Sequence, residues 1–210
     1  MLKVELHCHT DVDRADLIPY STRALVDRAA ELGFHAIAVT PHDEYFDPSA
    51  DAGYASDRGI ILLSGIERTV QGKHVLLLNF PRQCERVRTF RDIADLRAVH
   101  PRGLVVAPHA FYPNPSALRR KLMDRHAQLI DAVEVNAMYT RLIDFNLRAI
   151  TWARARGKPL VGNSDLHVLN GLGITYSVVH SEPTADAICD AIRHGRVEVG
   201  TTALEICRTA

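Results

Sequence analysis

The sequence lacks the features that mark secreted, membrane-spanning or nucleotide-binding chains. No apolar run approaches the ~20 residues of a spanning helix, and the N-terminus has no signal peptide, so we expect a cytoplasmic protein without a membrane partner. No glycine-rich phosphate loop follows the first apolar run, which counts against a nucleotide-binding open sheet. The cysteines are few and scattered without CxxC spacing, and they are interpreted as reduced thiols: Cys8, Cys84, Cys189 and Cys207.

The chain also lacks an excess of either charge. Lys plus Arg and Asp plus Glu number 25 each, so no global basic field is available to hold nucleic acid. The densest positive cluster lies in residues 112–126 and contains Arg119, Arg120, Lys121 and Arg125. We interpret it as a solvated helix face, with a backbone-phosphate patch as the alternative. The length and the 47% hydrophobic content favour a single domain over residues 1–210.

Short β-branched runs alternate with helical patterns along the whole chain. The predicted strands are residues 2–8, 35–40, 59–66, 74–80, 103–109, 131–137 and 158–165, with a weaker pair at 173–179 and 197–201. Amphipathic helices are predicted in STRALVDRAAELGF, LIDFNLRAITWARARG and TADAICDAIRHG. The alternation is typical of parallel βα units, either in an open sheet or in a closed barrel. In both, functional groups collect at the carboxyl ends of the strands.

The stretch LHCHTD places two histidines at the end of the first strand. Because residues two apart share a strand face, His7 and His9 present two imidazoles side by side while Cys8 points the other way. Two imidazoles on one face suit a divalent ion, but an isolated pair is also compatible with two hydrogen-bonded or surface histidines. The other strand termini decide between these alternatives.

Nearly every predicted strand carries an imidazole or a carboxylate at or near one end. They are His42 and Asp43, Glu67, His74, His109, Glu134, and Asp165 and His167. These are the side chains that bind zinc, manganese and iron in proteins. His35, His100, His126, His180 and His194 lie away from the carboxyl ends and are interpreted as surface or helix-terminus residues.

Five of these pieces, HCHTD, TPHDE, GIE, PHA and NSDLH, occur in an order that resembles the PHP (polymerase and histidinol phosphatase) family. They span residues 7–167. The resemblance implies an α/β fold, a distorted TIM-like (β/α)7 barrel with the metal cluster at its carboxyl-end mouth. It also implies a metal-dependent phosphoesterase of EC class 3.1.

The resemblance assigns ligands for two or three divalent ions of zinc, manganese or iron. His7, His9, Glu67 and Asp165 would hold one ion, Glu67 would bridge to a second with His74 and His109, and His42 and His167 would hold a third. The family supplies one more third-site ligand shortly after the opening histidines, where this chain reads DVDRAD. Asp11, Asp13 and Asp16 are the candidates, and Asp13 is favoured.

In the implied reaction a metal-bridging hydroxide attacks a phosphate ester. Asp13 and Asp43 are candidate proton donors, Arg14, Arg141 and Arg68 are candidate phosphate contacts, and Glu134 is expected to orient a ligating histidine. A small phosphorylated substrate or a short nucleic-acid end would fit.

Two alternatives stay open: amidohydrolase-like cleavage of a C–N or carboxylic ester bond, and a non-catalytic metal-binding PHP module. The amidohydrolases that use a similar barrel carry a carboxylated lysine at the end of a middle strand. No predicted strand here ends in lysine.

Overall fold

The computed structural model describes residues 1–204 and has the mixed α/β architecture predicted from the sequence. Its strands are β1 (Leu2–Cys8), β2 (Ala36–Val39), β3 (Ile61–Leu63), β4 (Gly65–Val70), β5 (Lys73–Leu78), β6 (Leu104–Ala107), β7 (Ala132–Asn136), β8 (Leu160–Asn163), β9 (Thr175–Val179) and β10 (Val197–Thr201). Its helices are α1 (Thr22–Glu31), α2 (Ala52–Ser56), α3 (Phe90–Val99), α4 (Arg120–Arg125), α5 (Asn146–Arg154) and α6 (Ala185–Arg193).

The strands form two five-stranded sheets, in the orders β10-β9-β1-β2-β3 and β4-β5-β6-β7-β8. The parallel pairing predicted from the βα alternation is present in β1-β2-β3 and in β6-β7-β8. The prediction that residues 74–80 form another parallel strand is wrong, because β5 runs antiparallel to both β4 and β6. Only Gln71 and Gly72 join β4 to β5, both with positive φ, and a two-residue turn can make a hairpin but no crossover.

The predicted strand over residues 59–66 is divided at Ser64, so that β3 lies in one sheet and β4 in the other. Gly65 lets the chain pass close to Thr40 at this division, because a Cβ at this position would stand only 2.7 Å from Cγ2 of Thr40. Beside it the sheets approach through an isolated bridge between His42 and Glu67. A second bridge, between Cys8 and Leu166, joins the sheets at the end of β1. Both bridges lie at the carboxyl ends of parallel strands, where the sequence places its histidines.

Two of the three predicted helices begin and end as expected. Ser21 and Thr184 accept hydrogen bonds from Ala24 and Ala187 at the starts of α1 and α6. The third helix is shorter than predicted, because α5 begins only at Asn146. The residues before it, 137–145, form a loop at the carboxyl end of β7.

One buried apolar cluster contains side chains of both sheets and of α6, including Leu6, Ala36, Leu76, Val106 and Ile188. It holds the two sheets together below the histidines. The cysteines of the described residues are free, as predicted, and all three are buried; Cys207 lies outside these residues. Within residues 1–204, no helix has the length and apolar character needed to cross a membrane.

Candidate metal centre

Glu67, which is 1% exposed, stands at the centre of the histidine cluster. Its Oε2 lies 3.1 Å from Nε2 of His42, 3.2 Å from Nε2 of His7 and 3.4 Å from Nε2 of His9, and its Oε1 lies 2.7 Å from Nδ1 of His74 and 2.9 Å from Nε2 of His109. One carboxylate therefore faces five imidazoles that come from four segments of the chain: the end of β1, the loop after β2, β5 and the loop after β6.

His7, His9, Glu67 and Asp165 each offer a donor atom within 4.8 Å of the others. Oδ1 of Asp165 lies 3.4 Å from Nε2 of His7 and 3.6 Å from Nε2 of His9. Nε2 of His9 is buried and has no hydrogen-bond partner, although a buried ring nitrogen without a partner costs free energy. Two imidazoles and two carboxylates fit a divalent cation, which would satisfy that nitrogen.

Glu134 is fully buried and fixes the ring of His7 from behind. Its Oε2 accepts a hydrogen bond from Nδ1 of His7 at 2.8 Å, which turns Nε2 toward Glu67 and Asp165. Its other oxygen accepts from the backbone N–H of His109 at 2.9 Å. A carboxylate that orients a ligating histidine in this way raises its basicity and fixes its tautomer.

A second group of potential ligands consists of His42, Glu67 and His74. His74 reaches Glu67 because the β4–β5 hairpin pairs Thr69 with His74, so that His74 shares a sheet face with Glu67. His109 contacts the same oxygen of Glu67 from the end of β6. The structure thus brings together the three residues assigned to the second ion.

Asp13 and Asp16 both enter the cluster from the loop after β1. Both face Nδ1 of His42, and each faces a second, different histidine. Oδ2 of Asp13 lies 2.7 Å from Nδ1 of His9 and 2.9 Å from Nδ1 of His42. Oδ2 of Asp16 lies 3.5 Å from Nδ1 of His42 and 3.2 Å from Nε2 of His167. Asp11 is exposed and makes none of these contacts. Asp16 is therefore the aspartate that joins His42 to His167.

The other candidate residues lie around this cluster. Oδ1 of Asp43 accepts hydrogen bonds from Arg68 and from the backbone N–H of Thr69, both at 2.7 Å. Arg68 is buried and also donates to the carbonyl of Val87, so it supports the loop that carries Asp43. Arg14 is exposed and lies 3.4 Å from Glu44. Arg141 is exposed in the loop after β7.

Burial disfavours the charged forms of the side chains in this cluster, but contacts between its histidines and carboxylates favour them. Burial lowers the pKa of His42, but hydrogen bonds to Asp13 and Glu67 outweigh it and raise the pKa to about 10. Burial raises the pKa of Asp165, but the charge of His7 holds it well below its ordinary value. Metal binding at such a cluster would displace protons, because an imidazole nitrogen that ligates a metal must be unprotonated.

Backbone strain concentrates at the same place. Asp43, His109 and Asp165 have φ values of 56°, 29° and 51°, in the left-handed region that residues other than glycine seldom adopt. Such conformations cost of order 1–3 kcal/mol each and cluster at functional sites. All three follow strand ends. His109 and Asp165 point into the cluster, whereas Asp43 contacts Arg68 and Thr69 beside it.

Two buried polar residues of the site were missed in the sequence. Glu5 accepts hydrogen bonds from N–H and Oγ of Ser164, at 3.0 Å and 2.7 Å, and so ties β1 to the segment before Asp165. Burial raises its pKa to about 8. Nδ2 of Asn136 lies 2.9 Å from Glu134 and 3.3 Å from Asp165. The strand periodicity could have identified both residues. Glu5 precedes His7 by two positions and Asn136 follows Glu134 by two, so each lies on the same strand face as a residue of the cluster.

Fold and site together define an α/β protein with a buried histidine and carboxylate centre. Residues 144–197 match the family model described as PHP-associated. Among curated proteins, no sequence matches the chain at a significant level.

Solved structures share the fold at low sequence identity. A two-domain protein from Bacteroides vulgatus, which contains a predicted PHP-like metal-dependent phosphoesterase, superposes with a TM-score of 0.72 at 18% identity, over 95% of this chain and 64% of its own. PsfC from Pseudomonas syringae has a TM-score of 0.64 at 18% identity, with 96% of this chain and 92% of PsfC covered. The lesion-specific endonuclease PfuEndoQ from Pyrococcus furiosus has a TM-score of 0.63 at 18% identity, with 94% of this chain and 57% of the endonuclease covered.

The resemblance to the PHP family is thus confirmed by a PHP-associated family model over residues 144–197 and by a fold shared with a predicted PHP-like phosphoesterase. The chain spans less than two thirds of the Bacteroides protein and of the endonuclease.

Proposed function

We propose that this chain is a metal-dependent hydrolase that cleaves a phosphate ester at a centre of two or three divalent ions, zinc, manganese or iron. The observation that carries the proposal is Glu67, whose carboxylate faces five imidazoles while Asp165 closes the cluster. We also propose that residues 1–210 act as one domain and that the two sheets together form a distorted barrel around this centre.

Bound divalent ions would lower the pKa of a water molecule and neutralise the oxygens of a phosphoryl group. The residues around the ions would have separate tasks. Glu67 would supply negative charge to neighbouring ions, while Glu134 orients His7, and Asp13 orients His9 and His42 through their Nδ1 atoms. No covalent enzyme intermediate is required.

Asp43 suits proton donation to the leaving group better than Asp13 does. Both oxygens of Asp13 accept hydrogen bonds, and the contacts with His42 and His9 overcome burial and hold its pKa well below the ordinary value. In Asp43 only Oδ1 is engaged within the described residues, and the side chain is 45% exposed. We therefore propose Asp43 as the acid, with Arg14 and Arg141 as exposed cations that can contact the phosphate.

We expect Asp16→Asn to weaken the binding of one ion by about 10- to 100-fold, because Asp16 is the carboxylate between His42 and His167. Titration with Mn²⁺ followed by calorimetry would measure stoichiometry and affinity. Asp11→Asn is the matched control, since Asp11 is an exposed aspartate of the same loop outside the cluster. Wild-type affinities at every site in Asp16→Asn would remove Asp16 from the ligand set.

A short nucleic-acid end is a second candidate substrate, and a groove between α4 and α5 is the feature that favours it. The groove has a volume of about 610 Å³ and is lined by Arg120, Arg148 and Arg156. Asp124 pairs with both Arg120 and Arg156, however, so the positive charge of the groove is partly neutralised. A small phosphorylated substrate is therefore our first choice.

The test of function is a substrate panel with Mn²⁺ or Zn²⁺ that includes phosphomonoesters, a phosphodiester, short oligonucleotides, carboxylic esters and amides. We expect phosphoester turnover and at least two ions per chain by metal analysis. Ester or amide hydrolysis without phosphoester turnover would establish the amidohydrolase alternative. Bound metal with no turnover of any of these compounds would favour the non-catalytic PHP module.

A further inference from the structure

Exposed apolar side chains gather in the loops that surround the candidate metal centre. Of eleven large apolar residues exposed among residues 1–204, seven lie in the loops that follow β1, β7 and β8. We call these seven the apolar rim: Val12, Leu17, Met138, Leu142, Ile143, Phe145 and Val168. Four of the seven lie within residues 138–145, and clustered exposed apolar side chains in a soluble protein mark interaction sites.

The most exposed part of the rim is held outward by an ordered turn in the loop after β7. The backbone N–H of Thr140 donates to the carbonyl of Ile143 at 2.9 Å, and Oγ1 of Thr140 accepts from the N–H groups of Leu142 and Ile143. Leu142 is 84% exposed and Ile143 is 57% exposed. The turn therefore fixes two large apolar side chains in water, where each is less stable than in an apolar contact.

The rim is connected to the metal centre through the residues that support the ligands. Asn136 accepts from the backbone N–H of Met138 at 2.8 Å through Oδ1 and contacts Asp165 through Nδ2. On the other side, the contact between His167 and Asp16 joins the loops that carry Val168 and Leu17. A molecule whose phosphate binds at the metal centre beside Asp165 and His167 would have its remaining part next to these loops.

We propose that the substrate is a phosphate ester of an apolar alcohol, an alkyl or aryl phosphate, whose alcohol part packs against the apolar rim. The inference rests on the proposed phosphoesterase function and names its substrate class. In the reaction a water oxygen forms a bond to phosphorus as the bond to the ester oxygen breaks. The alcohol takes up a proton and leaves, so the products are phosphate and a free apolar alcohol. A polyanion would instead use the groove lined by Arg148.

The test measures kcat/KM with Mn²⁺ for n-alkyl phosphates from methyl to octyl, in wild type and in Leu142→Ser/Ile143→Ser. In wild type we expect kcat/KM to rise about two- to fourfold per methylene, the range that partial burial of a methylene allows. In the double variant the octyl-to-methyl ratio should fall about tenfold or more. Both substituted residues are exposed, so the fold should persist.

Val99→Ser is the matched control, because Val99 is 72% exposed but ends α3 at the opposite end of the parallel strands. It should keep the wild-type octyl-to-methyl ratio. Equal kcat/KM for all chain lengths would overturn the apolar substrate while leaving the phosphoesterase intact, and absence of turnover for every phosphoester would overturn the proposed function itself. A wild-type dimer that the double variant converts to a monomer, with an unchanged ratio, would make the rim an interface between copies instead.

Discussion

Replacing Glu67 by glutamine is expected to lower kcat/KM for phosphoester hydrolysis by about a thousandfold or more, which corresponds to about 4 kcal/mol. The substitution keeps the shape of the side chain and removes its charge. Five imidazole nitrogens lie within 3.4 Å of that carboxylate, so no neighbouring acid can replace it at all five contacts. The variant should also bind fewer ions per chain.

Glu31→Gln is the appropriate control, since Glu31 is 64% exposed on α1 and contacts Arg28 away from the cluster. It should retain wild-type rates and metal content, because exposed ion pairs contribute little. Circular dichroism and thermal unfolding would establish that Glu67→Gln is folded. A folded Glu67→Gln with full metal content and full activity would contradict the bridging role.

The position of the cluster could be predicted because it follows from local rules. Parallel strands end at one edge, so the histidines at the end of β1 and the Asp165 loop after β8 were expected to meet, and the structure brings them together. Asp165 reaches the histidines only because the end of β8 lies beside the end of β1, a contact between residues more than 150 positions apart. The repeated placement of imidazoles and carboxylates at strand ends was enough to predict that these residues meet.

The parts that could not be predicted depend on turns and on buried hydrogen bonds. Gln71 and Gly72 form the hairpin that places His74 beside Glu67, and the apolar pattern of the following strand is the same for either pairing direction. The separate contacts of Asp13 and Asp16 depend on how residues 11–16 fold over the end of β1. Spacing alone does not separate aspartates three positions apart on a loop.

Removing bound metal is expected to destabilise the fold by roughly 4 kcal/mol if ions are present at about a thousand times their dissociation constant. For a chain of about 200 residues this corresponds to a decrease in Tm of roughly 10 °C. The physical reason is that Nε2 of His9 is buried without a partner, and Glu67 and Asp165 lie in the same buried cluster. These groups lose a counter-charge when the cation leaves.

Thermal unfolding before and after chelation, followed by addition of Mn²⁺ or Zn²⁺, measures this effect. The decrease in Tm should reverse on addition of metal and should be much smaller in Glu67→Gln, because that variant lacks the shared carboxylate. Glu31→Gln should behave as wild type. If a well-folded protein keeps the same Tm whether chelated or supplied with zinc, manganese or iron, then the buried cluster is a hydrogen-bonded network that does not need a metal, and the phosphoesterase proposal fails with it.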